Sequence, residues 1–127
     1  MTRRRSIRAP DIPEHANPIP AASRIGNLVF SSVILGIDPG SHELPDDREA
    51  QIANAFAIVR SIMREAGGDT DAIGKLTVYL ANRDDRALVN PHWLAMFPDA
   101  ASRPARHTME KVLPPGCYVQ LEFVAVL

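Results

Sequence analysis

A chain of 127 residues, 46% hydrophobic and 23% charged, has material for one soluble domain around one core, and is neither fibrous nor disordered in composition. Its formal net charge of -1 provides no global field to draw in nucleic acid or an acidic membrane. The single cysteine, Cys117, cannot close an internal disulfide, which fits a reducing cytoplasm, and the longest apolar passage, "LVFSSVILGI", is too short to span a bilayer.

The first ten residues, "MTRRRSIRAP", hold four arginines and no acid. No apolar stretch follows, as a signal peptide requires, so export is not expected. Pro10, Pro13, Pro18 and Pro20 keep this start extended. We expect a mobile basic arm over residues 1–17, ahead of a single domain over 18–127; an arm that contacts RNA or a partner is the alternative.

"RIGNLVFSSVI" predicts a hairpin, with Gly26 and Asn27 as its turn, and "GIDPGSHELPDD" a loop. "DDREAQIANAFAIVRSIMREAGG" predicts a helix capped by Asp46, with Asp47 and Glu49 at its positive end. Ile52, Phe56, Val59 and Met63 form its apolar stripe, and Gly67 and Gly68 end it in left-handed backbone. "KLTVYLA" reads as a strand. Pro91 would break a helix interior, so a second helix is expected to start there with Asn90 as cap, with room for a short helical turn from Arg86 to Val89. "RHTMEKV" and "YVQLEFVAV" are strands joined through the turn "LPPGC".

The predicted order is β-β-α-β-α-β-β, an α+β arrangement with both helices on one face of the sheet. In the last strand Val119, Leu121, Phe123 and Ala125 point one way, and Tyr118, Gln120, Glu122, Val124 and Val126 the other. Neither set is wholly polar, so the second face is expected to be covered by another copy of the chain. No phosphate-binding glycine loop, nucleophile elbow or zinc spacing of the four histidines occurs. Cys117 has no neighbour that would activate it. Arg106, entering a strand after "RPA", reads either as a structural or solvated rim arginine or as a binding group, and alternation places Thr108 on its face while His107 turns away.

The element order, with "GNLVFSS", "VNPHWLAMF", "RPARHTM" and "VQLEFVAV" in their places, resembles the Rid/YjgF family of reactive-intermediate deaminases, also described as endoribonuclease L-PSP, from about residue 18 onwards. The resemblance implies a chorismate-mutase-like α+β subunit in a homotrimeric barrel, with clefts between neighbouring subunits. It also implies cofactor-free, metal-free hydrolysis of small enamine and imine acids to 2-keto acids and ammonia. The "PAR" arginine that grips the substrate carboxylate falls on Arg106, where a planar guanidinium offers paired donors matched to a carboxylate. Thr108 takes the place of a frequent cysteine, Ser32 that of a cleft-lining serine, and Asn90 that of a cleft asparagine; for Asn90 the helix cap remains the competing role.

The chain departs from the family pattern at three points. The water-positioning glutamate falls on Gln120, whose amide can orient water but cannot accept its proton. The cleft-closing tyrosine falls on Ile19, and "SGQ" becomes "SVI", with Val33 and Ile34. The pocket is therefore expected to be more apolar than that of the best-known branch, and an aminomuconate-type enamine is one candidate substrate. Glu122, about 7 Å further along the strand, and His15, on the extended start, are candidate replacements for the lost acid. A non-catalytic small-carboxylate sensor is the alternative function. Ribonuclease or RNA-binding activity, with "RRRSIR" as contact, ranks third, since the near-neutral charge argues against a nucleic-acid partner.

Overall fold

The computed structural model describes residues 3–127. Seven strands and two helices follow one another as β1 (Arg4–Ile7), β2 (Ala22–Ile25), β3 (Leu28–Ser31), β4 (Ile34–Leu35), α1 (Arg48–Ala66), β5 (Ile73–Leu80), α2 (Arg86–Met96), β6 (Ala105–Glu110) and β7 (Val119–Val126). They form one sheet in the order β1-β2-β3-β7-β5-β6, with β4 also paired to β7. Only β5 and β6 are parallel, and α2 lies in the crossover such a pair requires.

α1 forms where its apolar period predicts. Ile52, Phe56, Val59 and Met63 are all buried against the sheet together with Val29, Leu76, Val78, Leu121 and Ala125. The cap is Asp47 rather than Asp46: its carboxylate accepts the Ala50 N–H at 3.0 Å. Gly67 alone carries the left-handed conformation at the other end (φ 92°), so the expected pair of such glycines reduces to one.

The amino-terminal segment is extended, but Arg4–Ile7 is not a free arm. It pairs with β2, Arg5 opposite Arg24, and Ile7 is buried. Both arginines reach the end of α1, where Arg5 donates to the Glu65 carbonyl at 3.3 Å and Arg24 to the Ala66 carbonyl at 2.6 Å. Helix C-termini leave carbonyls without partners and favour positive charge, so two of the cations close that end. Past β1, Asp11 accepts from Ser61 at 2.9 Å and from Arg64 at 2.7 Å, fastening the segment along α1.

These bonds, that to Arg64 first and that to Ser61 second, hold the Asp11 carboxyl below its ordinary 3.8. A group with a depressed folded pKa stabilises above its unfolded value and loses that contribution as pH falls through the folded one. Both partners are largely exposed, so the contribution is at most about 1 kcal/mol. Asp11→Ala should therefore lower the urea midpoint slightly at neutral pH and leave it unchanged once the pH is well below 3.8. An equal loss at both pH values would assign the effect to something other than this carboxylate.

α2 corrects the expected helix start. It runs from Arg86, after a 3-10 turn at Arg83–Asp85, so Asn90 lies inside it and caps nothing. Pro91 forfeits one backbone hydrogen bond from an exposed position, while Val89, Trp93 and Met96 are buried at helical spacing. Packing of that stripe outweighs the single missing bond.

In β7 the predicted alternation is present: Val119, Leu121, Phe123 and Ala125 are buried on the helix side. On the opposite side Ile25, Leu28, Phe30, Val124 and Val126 are exposed, each 37–52% accessible, and their register places them side by side.

Candidate active site

Arg106 lies on β6 opposite Leu76 of β5, so its side chain leaves the sheet on the helix-bearing face, over α2. Its guanidinium is half-buried and held from three sides. Nε donates to Thr108 Oγ1 at 2.8 Å, Nη1 donates to Asn90 Oδ1 at 2.9 Å, and the guanidinium carbon sits 5.2 Å from the Trp93 ring centroid. Strand alternation supplies Thr108, two residues on; helical phase supplies Asn90 and Trp93, three apart. Trp93 is in turn wedged edge-on against Phe97, with ring centroids 4.8 Å apart.

All these partners are neutral. Among the described residues Arg106 enters no ion pair, unlike Arg8, Arg48 and Arg64, each bonded to a carboxylate. Burial first, and then the Arg86 guanidinium, pulls its pKa below the ordinary arginine value. Arginine stays protonated regardless. The arrangement therefore holds a fixed, partly desolvated cation whose remaining donors face a cleft of about 630 Å³ lined by Asp84, Arg86, Ala87, Asn90, Arg106 and Thr108. Such a site can grip an anion in a fixed orientation.

The structure brings Arg106, Thr108 and Asn90 together and keeps the other expected residues apart from them. Gln120 pairs in register with Tyr79 of β5 and Leu35 of β4, on the opposite face of the sheet; it is 9% accessible, and its amide has no hydrogen-bond partner among the described residues. Glu122 shares that face and accepts from the Tyr79 hydroxyl at 2.7 Å, which occupies one of its oxygens and raises the tyrosine pKa. Ser32 donates to the Pro20 carbonyl at 2.7 Å, and Ile19, next in the chain, is 39% accessible. Ser32 lines an apolar cleft of about 300 Å³ with Pro13, His15, Pro20, Val33 and Leu35. His15 is exposed, and its Nδ1 accepts from the Asn17 N–H at 2.9 Å.

Trp93 and Arg86 escaped the reading of the sequence. Both depend on the phase of α2, which a helix beginning at Asn90 does not provide for Arg86. Cys117 is buried, and burial raises its thiol pKa. No cluster of metal-ligating side chains occurs among the described residues, and no helix there is long and apolar enough to cross a membrane.

Residues 10–127 match the family described as Endoribonuclease L-PSP. A RutC family protein of Aquifex aeolicus is 31% identical over 123 residues, covering 96% of this chain and 98% of its own. The 2-iminobutanoate/2-iminopropanoate deaminase of Escherichia coli strain K12 is 29% identical over 124 residues, covering 96% and 97%. Among solved structures, RidA from the Antarctic bacterium Psychrobacter sp. PAMC 21119 superimposes with a TM-score of 0.89 at 28% identity, covering 97% of this chain and 99% of that one. Escherichia coli TdcF with bound serine superimposes at 0.88 and 25% identity, covering 97% and 98%.

Proposed function

The chain belongs to the Endoribonuclease L-PSP family, the Rid/YjgF family its motifs resemble, and from that premise we propose that it is a RidA-type hydrolase of small imine and enamine acids, giving 2-keto acids and ammonia. The observation that carries this reading is Arg106: a half-buried guanidinium positioned by Thr108, Asn90 and Trp93, with no carboxylate of its own. The substrate carboxylate supplies the missing counter-charge. Water adds to the carbon of the C=N bond, the nitrogen takes up protons and leaves as ammonia, and the carbonyl forms. Neither a cofactor nor a metal enters that balance. A named imine deaminase among the relatives, and a relative that holds serine, fit a site built for small amino-acid-derived metabolites. Buried Cys117 accords with a cytoplasmic setting.

In this reading the protein is a homotrimer and each cleft has walls from two protomers. Gln120 and Arg106 occupy opposite faces of one sheet, so a single protomer cannot present both to one substrate. The exposed apolar stripe on the Gln120 face is what assembly would cover. Ser32, Ile19, Gln120 and Glu122 then belong to the wall facing a neighbour's Arg106, Thr108 and Asn90. Val33 and Ile19 make that wall apolar, which suits an aminomuconate-type or otherwise larger substrate.

The two-wall arrangement has a direct test. Arg106→Ala and Gln120→Ala proteins, each poorly active alone, should regain ammonia release when unfolded together and refolded, because random reassembly rebuilds about one cleft in four. A mixture no more active than its parts would place both residues on one protomer or outside the site.

Gln120 favours one second reading, a non-catalytic carboxylate sensor, since an amide accepts no proton from water. Calorimetric binding of 2-oxobutanoate without ammonia release from its imine would select it. The ribonuclease reading is weakened, since among the described residues only Arg3 and Arg4 of its contact stretch remain uncommitted: Arg8 is paired with Glu14 at 2.6 Å, and Arg5 is bound to the end of α1.

A further inference from the structure

Arg86 lies four residues before Asn90 on α2, one helical turn away on the same face. Asn90 is the residue whose Oδ1 holds Arg106. Arg86 and Arg106 therefore line the same cleft, Arg86 from α2 and Arg106 from β6. Nε of Arg86 donates to the Arg83 carbonyl at 3.2 Å, which fixes the stem and leaves the terminal nitrogens without a partner among the described residues. Asp84, the one acid in the cleft lining, is ion-paired with neither guanidinium. Two like charges share an open cleft, and among the described residues neither has an ion-pair partner. Like charges repel, and an anion reaching both would relieve that repulsion.

The geometry points to Arg86 as a specificity-determining residue that anchors a second carboxylate, so that the preferred substrate is the imine or enamine of a short amino dicarboxylic acid. This rests on the deaminase reading above and narrows it. Arg106 takes the carboxylate next to the reacting carbon, and Arg86 takes the distal one. Arg86 reads the identity of the substrate without touching the C=N bond. The apolar opposite wall would then face the carbon chain between the two acids.

The test compares imines generated in place by an amino-acid oxidase from glutamate and from 2-aminobutyrate, with ammonia as the readout. In the wild-type protein, kcat/KM should favour the dicarboxylate. Arg86→Met should lower the ratio of the two kcat/KM values at least about tenfold, mainly through KM, as expected for loss of one charged hydrogen-bonded contact. Arg86→Lys should restore part of the ratio. An unchanged ratio in Arg86→Met, or a wild-type preference for the monocarboxylate, overturns the assignment. Should the wild type turn over neither imine, the deaminase reading fails, but calorimetry still decides on Arg86. Wild type binding 2-oxoglutarate more tightly than 2-oxobutanoate, with the difference lost in Arg86→Met, upholds it; no difference between the two acids in the wild type rejects it.

Discussion

Arg106→Ala should reduce kcat/KM for hydrolysis of 2-iminobutanoate by roughly 10²- to 10⁴-fold, because a paired grip of two hydrogen bonds to a charged carboxylate is worth about 1.5–3 kcal/mol each. The size of the effect follows from what surrounds the side chain. Thr108, Asn90 and Trp93 hold it in place but none cancels its charge. Removing it takes away a cation positioned by both β6 and α2, and strands no carboxylate partner among the described residues. Stability should therefore change little, and urea melts of the variant should overlay those of the wild type to within about 1 kcal/mol. Arg106→Lys keeps the charge but not the planar fork, and should recover only part of the activity. Equal ammonia release from wild type and Arg106→Ala would remove this residue from the mechanism.

The largest expected loss of stability is at Gln51. This side chain is fully buried in α1, where its Nε2 donates to the Pro45 carbonyl at 2.8 Å and the Gly116 carbonyl at 2.7 Å, and its Oε1 accepts the Tyr118 N–H at 2.9 Å. One amide thus joins the loop that enters α1 to the turn that enters β7. The same turn of helix admits no bulk from the other side: a Cβ at Gly36 would overlap the Gln51 backbone carbonyl. Gln51→Leu preserves volume but strands three backbone groups, and should cost about 3 to 5 kcal/mol, since each buried unsatisfied partner costs about 1–3 kcal/mol. Chemical denaturation at constant m-value measures this directly. A cost below about 1 kcal/mol would mean that water or a local shift satisfies those groups.

What could be read in advance, and what could not, divides along physical lines. The α1 stripe, the Gly26–Asn27 hairpin and the two-faced β7 depend on local period, and all are present. Arg106 and Thr108 share a face because strand period is local too. β1 was illegible because "RRSI" has little strand character of its own; it is a strand because β2 offers an edge and α1 an end to close. The α2 start was misread because Pro91 is a strong local signal, whereas the burial of Val89 and Trp93 that overrides it is tertiary. That error concealed Arg86, whose alignment with Asn90 exists only if the helix already includes both. Gln51 was passed over for a similar reason, as a polar residue on a helix normally faces water. The separation of Gln120 from Arg106 needed the sheet order, which no local pattern contains.

The two arginines at the end of α1 bear on how the amino terminus can be handled. Trimming residues 1–9 would strip a strand from the sheet, expose the neighbouring edge of β2 and remove one of the two cations that close α1, leaving Arg24 alone there. Any RNA affinity lost with such a truncation would be indistinguishable from damage to the scaffold. Charge-neutral replacement of Arg3 and Arg4, which spares Arg5 and the strand, is the cleaner way to ask whether these cations meet anything outside the molecule.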